Sequence, residues 1–205
     1  RISCPTTADF TVNSTSECLN VNPTVTFTNA SIGSGATIIS WNWSFGAGAF
    51  PANATGAGPH TVTYSTAGAK TIVLSVQDNL SATDTEIKTG FVTINDVPEP
   101  ATNISGLTTV CQGQTGVNYS VAAINGATGY TWNLPTGATL ISGVNTNSIT
   151  VDFGTSAISG NISVRGTNTC GNGTLSANFP VTVNPLPSVA GTITGNTNVC
   201  EGTNS

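Results

Sequence analysis

The 205 residues fit two domains of about 100 residues plus a remnant, and with 38% hydrophobic but only 6% charged residues the surface must be covered by Thr, Ser, Asn and Gly, a composition of strands and turns. Four basic residues, Arg1, Lys70, Lys88 and Arg165, against nine acids leave a net charge of -5, which excludes a nucleic-acid partner because duplex binding needs clustered cations to displace counterions. No apolar run approaches the roughly 20 residues that span a bilayer, so no membrane insertion is expected of this segment.

The first unit reads as strands at Thr24 to Asn29, Thr37 to Phe45, His60 to Tyr64, Lys70 to Asp78 and Thr85 to Asn95, separated mostly by Gly, Asn, Ser or Pro clusters. The second repeats the pattern at Tyr119 to Ala123, Gly129 to Leu134, Ser148 to Phe153, Asn161 to Arg165 and Ala177 to Asn184. None has helical periodicity, and short strands at regular spacing predict two packed antiparallel sheets per unit. Ile39, Trp41, Trp43 and Phe45 share one strand parity, as do Tyr130, Trp132 and Leu134. Trp41, Trp43, Phe45, Tyr130 and Trp132 are therefore assigned to the cores. The competing use of such rings, a platform for sugars, requires them on a solvent face or on loops.

Phe91 to Gly113 (FVTINDVPEPATNISGLTTVCQG) overlies Pro180 to Gly202 (PVTVNPLPSVAGTITGNTNVCEG) without a gap at an offset of 89 residues, the separation of Cys111 and Cys200. Such a period is the mark of a tandem array. The boundaries are set at 1–97, 98–186 and 187–205, the last being the start of a further repeat, and the chain is expected to continue beyond Ser205. Each seam reads as a strand followed by prolines: Phe91 to Asn95 then Pro98 and Pro100, and Pro180 to Asn184 then Pro185 and Pro187. Proline restricts the backbone, so the joints are expected to be short and semi-rigid, although a Pro pair also serves as a simple strand terminator. The absence of Met and of a basic-then-apolar leader reads as a processed chain or a piece of something longer.

Trp43-Ser44-Phe45-Gly46-Ala47-Gly48, with Gly58 to Gly68 (GPHTVTYSTAG) and Thr71 to Val76 (TIVLSV), resembles a PKD domain over about residues 7–96. The family's motif usually carries Asp where Ser44 and Ala47 stand, and some members use acids in that region to hold calcium; this copy has neither. The second unit, through Tyr130 to Ala138 (YTWNLPTGA), Ser148 to Gly154 (SITVDFG), Cys170 to Gly173 (CGNG) and Val181 to Asn184 (VTVN), resembles the PKD-like modules of large surface proteins of gliding Bacteroidota. Such modules are similar to those strung along giant SprB-type gliding-motility adhesins and other type IX secreted proteins. The resemblance implies tandem Ig-like, PKD-type β-sandwiches in a linear array, acting as spacers or surface-binding units. PKD-type modules also accompany secreted proteases, chitinases and other glycan-degrading enzymes, so the resemblance specifies a module better than a parent protein.

Five cysteines stand at 4, 18, 111, 170 and 200. If Cys200 occupies the place of Cys111, its partner lies beyond the fragment, leaving Cys111 with Cys170 and Cys4 with Cys18; the first unit reads Ser81-Ala82 where Cys170 should fall. Paired cysteines point to an extracellular, cell-surface location, and buried free thiols are the alternative.

Catalytic residues are not expected. Between Glu99 and Asp152 no Asp, Glu, Lys, Arg or His occurs, His60 is the only histidine and begins a strand, and no serine sits on a strand-turn-helix elbow. Zinc is not expected, because the cysteines lack close paired spacing and no second histidine exists. No cofactor is expected; calcium is the one candidate ion, with Asp96 and Glu99 at the first seam as its weak candidate ligands and Asp78, Asp84 and Glu86 around the preceding turn, although solvated strand-end acids are the commoner arrangement. The reading is a non-catalytic stalk or spacer of a large bacterial surface adhesin or filament, with a role in adhesion or gliding motility. Its partners are adjacent repeats, with surface polysaccharide or other surface proteins as further candidates. The alternative is a carbohydrate-binding accessory module of a secreted hydrolase.

Overall fold

The computed structural model describes residues 5–33 and 35–195, in which the chain forms two β-sandwiches and no α-helix. In the first, one sheet has the order β1 (Phe10–Val12), β3 (Thr24–Asn29), β7 (His60–Tyr64), β5 (Ala49–Phe50). The facing sheet runs β2 (Ser16–Cys18), β9 (Thr83–Asn95), β8 (Gly68–Asp78), β4 (Ile38–Ser44), β6 (Asn53–Thr55). Alternation along β8 buries Lys70, Ile72, Leu74, Val76 and Asp78 and turns the residues between them outward, the two-residue period of a strand with one face on a core. Phe10, Phe27, Trp43 and Phe45 meet between the sheets, with Phe27 and Phe45 rings 4.9 Å apart and Phe10 edge-on to Trp43 at 5.5 Å.

The second sandwich repeats the plan. One sheet has the order β10 (Ser105–Gly106), β12 (Val117–Ser120), β15 (Ser148–Phe153), β14 (Ala138–Ser142). The other runs β11 (Thr109–Cys111), β18 (Phe179–Asn184), β16 (Gly160–Asn168), β13 (Gly129–Asn133), with β17 (Gly171–Asn172) folded back on the end of β16. Tyr119, Ile149, Val151, Phe153, Ile162 and Val164 fill its core, and the Tyr119 hydroxyl donates to the Leu107 carbonyl at 3.0 Å.

Two expectations are corrected. The sheets are not wholly antiparallel: β2 pairs with β9, and β11 with β18, in parallel. The chain makes this possible by crossing from one sheet to the other, since β1 and β10 belong to the opposite sheets. The common parity of Ile39, Trp41, Trp43 and Phe45 also fails at its first member. A bulge between Ile38 and Ser40 packs Ile38 on the core and leaves Ile39 60% exposed, because an extra residue reverses the alternation.

Of the residues assigned to the cores, Trp43 and Phe45 are buried between the sheets, whereas Trp41, Tyr130 and Trp132 are partly buried and pack against the cores. Trp132 Nε1 donates to the Thr146 carbonyl at 2.9 Å, and the Tyr130 hydroxyl accepts from the Ile124 amide at 3.1 Å. No helix among the described residues is long and apolar enough to cross a membrane.

Candidate functional site: the seam between the sandwiches

The chain leaves the first sandwich at Asn95, the end of β9, and enters the second at β10. Pro98, in this link, is buried. Its place is a notch in the second sandwich that only glycine permits: a Cβ on Gly173 would lie 2.6 Å from the Pro98 carbonyl oxygen, and one on Gly166 would lie 2.9 Å from Pro98 Cβ. Asn168, the last residue of β16, clamps the link by donating through Nδ2 to the Asp96 carbonyl at 2.8 Å and to the Gly126 carbonyl at 2.9 Å. The Glu99 amide donates to the Asn125 carbonyl, and Asn125 Nδ2 donates back to the Glu99 carboxylate, both at 3.1 Å.

A covalent bond completes the joint. Cys18, the last residue of β2, is disulfide-bonded to Cys170 in the turn between β16 and β17, with Cα atoms 5.4 Å apart. Asn20 Nδ2 donates to the Cys170 carbonyl at 2.9 Å. The expected pairs Cys111–Cys170 and Cys4–Cys18 are thereby corrected. Cys111 ends β11 beside Asn184, whereas Cys170 lies beyond the opposite end of β16, which runs antiparallel to β18. At about 3.3 Å per residue the length of β16 separates the two cysteines by on the order of 30 Å, far outside disulfide reach. Cys18 has its sulfur committed to Cys170, and Cys111 is free and exposed. Cys4 and Cys200 lie outside the described residues.

Asp96 and Glu99 both border the seam cleft, a volume of about 400 Å³ that Asn95, Asn125 and Asn168 also line. The Asp96 carboxylate accepts from the Val97 amide at 2.8 Å, and no three acidic, histidine or cysteine side chains form a metal-holding group among the described residues. The acids around the β8–β9 turn have structural work. Asp78 accepts from the Leu80 and Ala82 amides at 2.9 and 3.0 Å and from the Thr6 hydroxyl, and these bonds, Thr6 foremost, hold its carboxyl below the usual carboxylate range. Asp84 accepts from the Ala8 amide at 2.7 Å. Asp9 pairs with Lys88 at 2.7 Å, and the hydrogen bond from that ammonium lowers its pKa. His60 is packed at 5.5 Å from the Trp43 ring with Nε2 3.1 Å from the Gly56 carbonyl, a structural position. The seam is thus a mechanical joint: a buried proline, an asparagine clamp and a disulfide fix one sandwich to the next.

Residues 9–91 match the PKD domain family, and residues 97–181 match the PKD-like domain family. Among solved structures the chain is similar to the PKD1 domain of the Vibrio cholerae metalloprotease PrtV, at 27% identity over 44% of this chain and 98% of that one, with a TM-score of 0.36. It is similar to the PKD1 domain of Vibrio anguillarum Epp, at 25% identity over 45% and 98%, with a TM-score of 0.37. It is also similar to a structure from a 1.5-MDa bacterial ice-binding adhesin, at 14% identity over 89% of this chain and 66% of that one, with a TM-score of 0.45. No curated protein matches the chain.

Proposed function

Because the chain carries a PKD domain followed in tandem by a PKD-like domain, both non-catalytic modules, we propose that it is a spacer segment of a large bacterial cell-surface protein, holding an adhesive region away from the cell. The observation that carries this reading is the disulfide from Cys18 to Cys170 across the seam. A bond inside a sandwich stabilises that sandwich; one between sandwiches suppresses bending, which benefits a stalk. It also requires an oxidising compartment, in keeping with an extracellular surface. The gap-free repeat from Phe91 onward supplies the array, and gliding motility and type IX export belong to the same proposal through the modules that the second unit resembles.

The carbohydrate-binding alternative needs a platform of exposed rings, yet Trp43 is buried, Trp41, Tyr130 and Trp132 pack against the cores, and Phe50 stands as a single exposed ring among the described residues. X-ray scattering from chains of two, three and four units tests the spacer. The maximum dimension should rise by on the order of 30–40 Å per added sandwich, the length of strands of about 9 to 12 residues. A compact particle with no such growth would contradict it, and retention on insoluble glycans would favour the alternative.

A further inference from the structure

The two sandwiches place a cysteine at the same point. Cys18 ends β2 opposite Asn95, and Cys111 ends β11 opposite Asn184, each at the close of a parallel pairing with the last strand of its own sandwich. Asn95 and Asn184 are themselves equivalent in the internal repeat, and Val97-Pro98 after the first corresponds to Leu186-Pro187 after the second. In the first sandwich this cysteine is consumed by the seam; in the second it is exposed and free, and Leu186 is 51% exposed. After Pro187 the sequence repeats the opening of the second unit as far as Cys200 and Gly202.

We infer that Cys111 is the half-site of a second inter-sandwich disulfide, whose other half is the cysteine that a following sandwich of the second unit's kind carries at the position of Cys170. The inference rests on the array reading. The occupant is specified by what closes the first seam: a turn bearing a cysteine, next to a glycine notch that receives the linker proline. Each sandwich then contributes one cysteine forward from its short parallel strand and accepts one backward on its β16–β17 turn. The first sandwich accepts none there, since its corresponding turn reads Ser81-Ala82. One seam contact is not repeated: Gly113 stands where Asn20 follows Cys18 by two residues, so the second seam lacks that amide donor.

Bond formation removes two protons and two electrons. The Cys111 thiolate attacks one sulfur of an oxidant disulfide, such as that of a thiol–disulfide oxidoreductase or oxidised glutathione, and releases one thiol. The incoming cysteine's thiolate then attacks Cys111 Sγ and releases the second.

The test is the chain through Leu186 with a further copy of residues 98–186 appended, oxidised with glutathione and mapped by mass spectrometry without reduction. A peptide joining Cys111 to the appended copy's Cys170, alongside the original Cys18–Cys170 link, is expected. Cys111→Ser should leave Cys18–Cys170 intact and leave the appended Cys170 joined to no other cysteine of the chain, recovered alkylated or carrying glutathione. Cys111 and the appended Cys170 both recovered unjoined after oxidation, as free thiols or each carrying glutathione, would overturn the inference. Scattering on the same sample separates the two readings: an extended particle without the bond sinks this inference alone, a compact one sinks the spacer as well. On the 205-residue chain itself, oxidised glutathione should add to Cys111 while Cys18–Cys170 persists; an unmodified Cys111 would also overturn it.

Discussion

Replacing Cys18 by Ser, alone and together with Cys170→Ser, should destabilise both sandwiches, because the bond that it removes belongs to neither alone. When the second sandwich unfolds by itself, the folded first one holds Cys18 and the start of the link in place. The bond to Cys170 then closes a loop of roughly 70 residues on the unfolded side, which the loop-entropy relation values at about 4 kcal/mol. When the first unfolds alone, the stretch from Cys18 to Val97 forms a loop of roughly 80 residues and gains a similar amount. Engineered and native bridges commonly deliver less than this limit, so about 2–4 kcal/mol per sandwich is expected. For domains of this size 1 kcal/mol moves Tm by roughly 4–8 °C, which places the shift on the order of 10 °C or more. Calorimetry of the oxidised chain, the reduced chain and both variants provides the assay. A shift confined to the first sandwich would place the partner of Cys18 inside it, and unchanged transitions on reduction would mean that no bridge restrains either one.

Gly173→Ala should strain the seam by about 1–3 kcal/mol, since the new Cβ would meet the Pro98 carbonyl at 2.6 Å. Faster reduction of Cys18–Cys170 by dithiothreitol is the readout, and an unaltered rate would count against the notch. Phe45→Ala should cost about 3–5 kcal/mol by leaving a cavity beside Phe27 and Trp43, with the larger shift in the first sandwich's transition; a loss under 1 kcal/mol would contradict the packing. Burial raises the Tyr64 and Tyr119 hydroxyls to about 12. Their folded pKa lies above the unfolded value, so their contribution is fully present below pH 10 and is lost as pH climbs towards 12. Absorbance titration should show Tyr64 and Tyr119 ionising late, together with unfolding, and their ionisation near pH 10 in the folded chain would refute it.

Much of the fold is legible in the chain because long strands alternate. The stretches at Thr24 to Asn29, His60 to Tyr64 and Ser148 to Phe153 coincide with β3, β7 and β15. Strands of two or three residues, such as β2, β5, β10 and β11, are too short to show a period, and two of them, β2 and β11, introduce the parallel pairing. The bulge at Ile38/Ser40 was likewise hidden, since nothing in Ile-Ile-Ser-Trp marks which residue is extra. The seam was half legible. Prolines stand at the period boundary in the sequence, whereas the burial of Pro98 in the link is visible only in the structure. The cysteine pairing is not legible from the repeat, because aligning Cys200 with Cys111 shows which cysteines are equivalent and not which of them face each other across a seam. The usable signal was that Cys170 follows β16 in a turn, and a turn in a sandwich lies at a domain end, where it can reach a neighbour.

That two sandwiches are locked into one mechanical element is tested most directly by proteolysis of the non-reduced chain and mass spectrometry of its cysteine peptides. The peptide carrying Cys18 should be joined to the peptide carrying Cys170, with Cys111 recovered as a free thiol. Recovery of Cys111 joined to Cys170, or of Cys18 joined to Cys4, would confine the bonds within single sandwiches and contradict the account.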